Sequence, residues 1–334
     1  KYEHWMDGTV TLLDENGVIR EFIEKKDFRF SSADSYFKTV NVYKFSRQFS
    51  ADQYIPFLSA YIRAYGRNQY YEMVLKALAH LPFAGLKAYE IGAMKWYEID
   101  DVQDLDIAES MFCPPEEQVR RLHPRYGGFW RYPGLKDFCY LVNPHFPPPN
   151  LLAEMKNSFL PLLTQYPSGM RVNALLAGKD FGVPPDMVVP GNGAAELIRA
   201  LLERTPGRVG FALPTFEEYP NRIPADRRVF FSPPPENGFR YSARDLVAFF
   251  DRPENRIDAL VLVNPDNPSG NFLPASDVFF LADWAEGKGV DFVLDESFVD
   301  FAEGHFTAIR PDVLASRPHL RVVKSISKNY GVPG

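Results

Sequence analysis

Ile257–Gly270 reads I-D-A-L-V-L-V-N-P-D-N-P-S-G, a short Val/Leu-rich run that ends in a turn of amides and prolines. Two more stretches repeat the plan. Val290–Leu294 runs into D-E-S-F (295–298), and Leu320–Ile326 runs into Ser327, Lys328 and Asn329. Apolar runs of this length, bounded by Pro and Gly, read as buried strands of a largely parallel sheet. Chemistry in such sheets gathers beyond the carboxyl ends of the strands. An amide, a carboxylate and a lysine are therefore delivered from three strand ends toward one ligand. Singly, each has a plain alternative: Lys328 as a solvated charge, Asp295 as a helix cap, Asn264 and Asn267 as turn formers.

Taken in order, N-P-D-N-P-S-G, D-E-S-F-V-D-F and S-I-S-K-N-Y-G resemble the large domain of fold-type I pyridoxal-phosphate (PLP) enzymes. The likeness is to class I/II aminotransferases near the histidinol-phosphate aminotransferase and threonine-phosphate decarboxylase branch. It implies that Lys328 holds the cofactor aldehyde and moves the substrate's alpha proton, and that Asp295 keeps the pyridine nitrogen protonated. It implies further that Asn267 donates to the ring's phenolic oxygen, and that Ser325 and Ser327 reach the phosphate.

Upstream, Met187–Val189 reads as a strand, followed by P-G-N-G-A-A-E-L-I-R-A-L-L-E from Pro190. A helix opening there offers free N–H groups and its positive dipole end, which makes Gly193, Ala194 and Ala195 candidate backbone ligands of the phosphate. A further strand, Val209–Leu213, ends in P-T-F-E-E-Y, where Phe216 matches the aromatic that stacks on the pyridine ring. Asn143, in N-P-H-F, matches a substrate-side loop. Tyr166 matches a tyrosine that in family homodimers reaches the neighbour's cofactor phosphate; its alternative is a capped aromatic at the start of a loop. Phe298 departs from the tyrosine common among aminotransferases and leaves amino-acid-phosphate decarboxylation open. Gly334 falls soon after Lys328, ahead of the family's later arginines and small domain, so the resemblance implies a truncated chain.

Residues 1–112 differ in character. Thr9–Leu13 and Val18–Ile23 flank D-E-N-G, whose Asn16-Gly17 pair predicts a hairpin. Phe37–Phe45 alternates as a half-buried strand does. Ser50 reads as the N-cap of a helix carrying Tyr54, Phe57, Leu58, Tyr61, Ile62 and Tyr65 as a core stripe, stopped by Gly66. A second helix over 69–80 leads to a strand near Leu86–Ile91. Lys95–Glu109 reads as a strand ending at Asp100, then a helix. With F-K-T-V-N-V-Y-K-F and N-Q-Y-Y-E (68–72), it resembles the closing part of sugar-phosphate and phosphocholine-type nucleotidyltransferases. That likeness implies a nucleoside triphosphate partner and a Mg²⁺ ligand at Asp100, in keeping with hard-cation chemistry. The bland alternative is a helix start with a solvated acidic face.

The expected organisation is an α/β chain. Residues 1–112 form a partial nucleotidyltransferase domain, 113–134 a Pro/Gly-broken linker, and 135–334 an incomplete PLP fold-type I large domain. Together they predict a bifunctional enzyme that works on a small amine bearing phosphate or phosphonate, homodimeric when full length.

Composition supports an enzyme over its rivals. Net charge is −6, with 13 basic and 17 acidic residues in 1–112, so no basic excess marks a nucleic-acid binder. That also disfavours a PLP-fold sensor, which needs a basic DNA-binding module. Cys113 and Cys139 are too few for a zinc site or disulfide framework and suit a reducing cytoplasm. No apolar run approaches the ~18 residues of a membrane span.

Overall fold

The computed structural model describes residues 1–81, 85–125, 127–304 and 306–332. The chain forms two compact units, Lys1–Phe138 and Cys139–Gly334.

In the first unit, β1 (Val10–Leu13) is central to an antiparallel sheet, between β2 (Ile19–Ile23) and β3 (Phe37–Lys38). The expected hairpin joins β1 to β2. Asp14 Oδ1 accepts from the N–H groups of Asn16 and Val18, both at 2.9 Å, and Gly17 takes φ 73°. The expected strand over Phe37–Phe45 stops at Lys38. Asn41 takes a left-handed φ of 58° and its amide donates to Glu98 at 2.6 Å, which turns the chain out of the sheet. Leu86–Ile91 contributes a single bridge, Val18 to Lys87, in place of a strand.

The long helical run begins earlier than Ser50. Ser46 is the cap, its hydroxyl accepting from Phe49 N at 3.1 Å. Ser50 already donates its own N–H to Ser46 O, so it lies inside the helix. The run continues through a π turn at Ser50–Tyr54 to Tyr65 and ends at Gly66, φ 83°. Tyr54, Leu58 and Tyr61 pack on Val74 and Leu78 of the helix Glu72–Ala79, whereas Phe57, Ile62 and Tyr65 are exposed. Only half of the expected stripe is core.

Residues 95–100 form no strand. Asp101 caps the helix Val102–Phe112, its carboxylate accepting from Gln103 N and Asp104 N. The stretch 113–134, expected as a linker, is folded onto that helix; Tyr126 within it lies outside the described residues. Pro115 opens a helix to Leu122, where a missing N–H costs nothing. Arg121 pairs with Glu109 at 3.0 Å, Arg125 with Asp106, and Tyr132 packs on Ile107 and Met111.

The second unit holds β4 (Val209–Ala212), β5 (Arg228–Phe231), β6 (Ala259–Val263), β7 (Asp291–Asp295) and β8 (Leu320–Val323). All pair in parallel, in the order β5-β4-β6-β7-β8. Every residue of β6 is buried because both faces are covered. Leu260 and Leu262 join Phe292 and Leu294 under the helices Ala243–Phe250 and Ala275–Lys288. Ala259, Val261 and Val263 join Val293, Val323 and the helix Ala194–Leu202 on the other face. Full burial of each larger side chain contributes about 1.5–3 kcal/mol. The strand expected at Met187–Val189 is absent. Pro185–Met187 forms a 3₁₀ turn, with the N–H groups of Met187 and Val188 bonded back to Pro184 and Pro185.

Candidate active site

Register levels the strand ends. Val263 faces Asp295, and Asp295 faces Val323. The polar residues that follow therefore leave the sheet at one edge. β4 has β5 on one side and β6 on the other, so the topology reverses between β4 and β6, where open parallel sheets leave a crevice. Thr215, just beyond β4, bridges that reversal. Its hydroxyl donates to Asp266 Oδ1 at 2.6 Å, and Ser269 donates to Asp266 Oδ2. This ties the loop carrying Phe216 to the loop carrying Asn267. Asn264 serves structure, its amide exchanging hydrogen bonds with both backbone groups of Leu273.

Asp295 is a buried carboxyl group, at 3% exposure. Tyr219 OH donates to its Oδ2 at 2.7 Å, and Ser297 N donates to its Oδ1 at 2.8 Å. Burial pushes the Asp295 carboxyl above its ordinary value, while Ser297, Tyr219 and the Lys328 charge draw it back. The Tyr219 phenol is itself pushed well up, by burial and then by the Asp295 charge, so it stays a donor. Glu296 turns the other way. Its carboxylate accepts from Thr307 Oγ1 at 2.6 Å and Ala308 N at 2.7 Å, which fixes the loop after β7.

Lys328 lies on the short helix Ile326–Asn329, its amine 5.9 Å from the centre of the Phe298 ring. Asn143 straps this segment down. Its N–H donates to Lys328 O at 2.7 Å and its side-chain amide to Asn329 O at 2.9 Å, while its Oδ1 accepts from His145 N. The amide expected to face substrate is thus engaged at both ends, Nδ2 holding the lysine segment and Oδ1 its own loop. A side chain at Gly331 would meet Asn143 O at 2.5 Å and Phe146 O at 2.3 Å, so the strap fits only over a glycine.

Phe216 packs edge-on to Tyr219, ring centres 6.4 Å apart, and is therefore one ring from Asp295. Ser325 N donates to Ser297 Oγ at 3.0 Å, which joins the lysine segment to the Asp295 loop. Ser327 is half-buried on the same short helix as Lys328. Gly193, φ 83°, precedes the helix whose first residues are Ala194 and Ala195, and Ala194 packs against the Tyr219–Val323 cluster. Tyr166 is fully exposed, between the helices Phe159–Thr164 and Met170–Phe181.

The sequence reading passed over Tyr219, Ser297, Thr215 and Asp266. The i, i+3 spacing of Phe216 and Tyr219 in P-T-F-E-E-Y was the one local signal available.

Asp100 belongs to the first unit and is exposed, its N–H donating to Asp104 Oδ2 at 3.2 Å. Partial burial, then Glu98, Asp104 and Asp7, push its carboxyl up. Among the described residues, no three or more His, Cys, Asp or Glu side chains stand together as a metal-binding group. No helix among them is long and apolar enough to cross a membrane.

The family model "Aminotransferase class I and II" matches residues 177–334. The CMP-5'-(3-aminopropyl)phosphonate synthase of Streptomyces rubellomurinus is 34% identical over 332 residues, 98% of this chain and 51% of that protein. The L-serine phosphate decarboxylase of Sulfurospirillum multivorans is 30% identical over 214 residues, 59% of this chain and 52% of that one. A solved decarboxylase structure from the same organism superposes with TM-score 0.50 at 25% identity, covering 60% of this chain and 57% of that one. The chain spans about half the length of the curated relatives it matches. Its second unit has the α/β, parallel-sheet fold of the class I and II aminotransferases.

Proposed function

We propose that the second unit binds PLP and serves an aminotransferase acting on a small amine that carries phosphonate or phosphate. The observation that carries this reading is Asp295, a buried carboxylate at a strand end, held by Tyr219 and Ser297 and within the field of the Lys328 amine. The fit is chemical. A carboxylate kept in a dry site gains from a cationic partner, which a protonated ring nitrogen supplies. When bound, PLP supplies an electron sink for the carbon that loses its proton.

The chain's own residues divide the remaining work. Lys328 holds the aldehyde end and carries the proton; Asp295 accepts from the ring nitrogen. Asn267 donates to the phenolic oxygen, and Phe216 covers the ring face. Gly193, Ala194, Ala195, Ser325 and Ser327 bind the phosphate, with Tyr166 given to the partner's site in a homodimer. Asn143 positions the lysine segment beside the substrate.

A second reading is decarboxylation of an amino-acid phosphate. Phe298, which faces the Lys328 amine with no hydroxyl, favours it, as does the likeness to a serine phosphate decarboxylase.

The first unit, on this proposal, belongs to a nucleotidyltransferase, with Asp100 holding Mg²⁺ against a nucleoside triphosphate. Support comes from a relative named for a CMP-phosphonate product that aligns with nearly the whole chain. Mg²⁺ commonly takes one or two carboxylates and completes its shell from phosphates and water, so a lone protein ligand is compatible.

Borohydride reduction of the PLP-loaded full-length protein, followed by peptide mapping, should place the pyridoxyl group on Lys328. A label on another lysine, or none, overturns the reading. Carbon dioxide release in place of amino transfer selects the decarboxylase.

A further inference from the structure

Ser297 is 6% exposed and touches both halves of the site. Its N–H donates to Asp295 Oδ1 at 2.8 Å. Its Oγ accepts from the N–H of Ser325 at 3.0 Å. A hydroxyl has one proton and two lone pairs, so an oxygen that accepts from Ser325 still has its proton to give. The Asp295 carboxylate is the acceptor beside it, and the Ser297 side chain is the first among the hydrogen bonds that draw the Asp295 carboxyl down.

We propose that the Ser297 hydroxyl is a positioning link, donating to Asp295 while accepting from Ser325, so that the carboxylate and the lysine-bearing segment keep one separation. The inference rests on the PLP reading. Asp295 and Lys328 would address opposite ends of one rigid ring, so an error in their spacing weakens both contacts together. Glu296 N–H donates to Val323 O and Lys324 pairs with Asp300 across the same two segments, but neither bond involves the Asp295 side chain. Tyr219 holds Asp295, and Asn143 holds the lysine segment, each without reaching the other. Ser297 acts through Asp295 and touches no reacting atom.

The test is a double-mutant cycle on the full-length protein, read as the PLP dissociation constant by equilibrium dialysis. Ser297→Ala should weaken PLP binding about tenfold, the usual scale for a hydrogen bond to a charged group. In an Asp295→Asn background the same substitution should cost less than about threefold, because the anion it serves is gone. The bound cofactor's visible absorbance gives a second readout. Its acid limb should move to higher pH in Ser297→Ala, since Asp295 loses a donor that favours its charged form. If Ser297→Ala does not fold, Ser297→Cys carries the same cycle, keeping the volume with a weaker donor. Equal losses in both backgrounds, or no loss in either, overturn the proposal. Failure of the unsubstituted protein to bind PLP overturns the cofactor reading itself, and this inference with it.

Discussion

At the scale of single residues, the site divides into groups that chemistry demands and groups that hold them. Asp295 closes β7, while Asn267 and Lys328 lie four residues past β6 and five past β8, so the order of the candidates proposed for the site could be read along the chain. Tyr219 could not, because its partner lies far away in sequence and only the pairing of β4, β6 and β7 brings the two together. Tyr219→Phe tests that pairing. It keeps the buried ring and removes the donor to a carboxylate, a bond worth about 1.5–3 kcal/mol, so PLP should bind about tenfold to a hundredfold more weakly. The pH dependence has a definite sign. Burial already raises the Asp295 carboxyl and Tyr219 opposes that rise, so losing the hydroxyl raises it further. On the proposed reading PLP retention needs the carboxylate, so in Tyr219→Phe it should be lost at a higher pH on the acid side. In the cofactor-free protein the linkage runs the opposite way. A carboxyl with a raised folded pKa stabilises fully below its ordinary value of 3.8, and that contribution fades as pH rises through the raised value. Dialysis across a pH series checks the first statement; an acid limb that stays put would mean the hydroxyl does not serve Asp295.

At the scale of elements, local signals succeeded where the chain's partners are close in sequence. Asn16-Gly17 made a hairpin, and Gly66 stopped a helix. Strand β6 was legible because an all-apolar run has nowhere else to go, and β7 and β8 because short apolar stretches lead into the polar turns that follow. Alternation over 37–45 misled, because Asn41 takes a left-handed φ of 58° and bonds Glu98, which turns the chain out of the sheet. Residues 95–100 and 187–189 had the composition of strands but found no neighbouring strand to pair with. The helix start is the sharpest case. Two serines stand four residues apart, and only geometry tells which one caps. Ser46→Ala should lower the unfolding free energy by about 1 kcal/mol. Ser50→Ala should change it by no more than about 0.5 kcal/mol, the ordinary scale for a residue inside a helix away from special contacts. Urea unfolding of the two variants side by side checks this, and a larger loss at Ser50 would return the cap to the position that the sequence first suggests.

At the scale of the whole molecule, the chain divides into two compact units, and the proposed reading gives each its own chemistry. The parallel sheet of the second unit was legible in the sequence, and the first unit holds a short antiparallel sheet with helices. The sequence reading misjudged the stretch between, because ion pairs such as Arg121–Glu109 cannot be read from Pro and Gly content. Asp100 tests the division. Partial burial and then its neighbours Glu98, Asp104 and Asp7 raise its carboxyl, so a cation there relieves repulsion while an amide relieves it without binding metal. Asp100→Asn in the full-length protein should therefore leave folding stability unchanged or slightly improved. If Asp100 holds the Mg²⁺ that neutralises triphosphate charge, pyrophosphate release should fall by about a hundredfold or more. PLP affinity should change by less than about twofold, since Asp100 and the residues proposed for PLP belong to different compact units. Pyrophosphate release that continues unaltered would make Asp100 the solvated neighbour of the Asp101 cap. Loss of PLP binding together with transfer would show that the two units do not act independently.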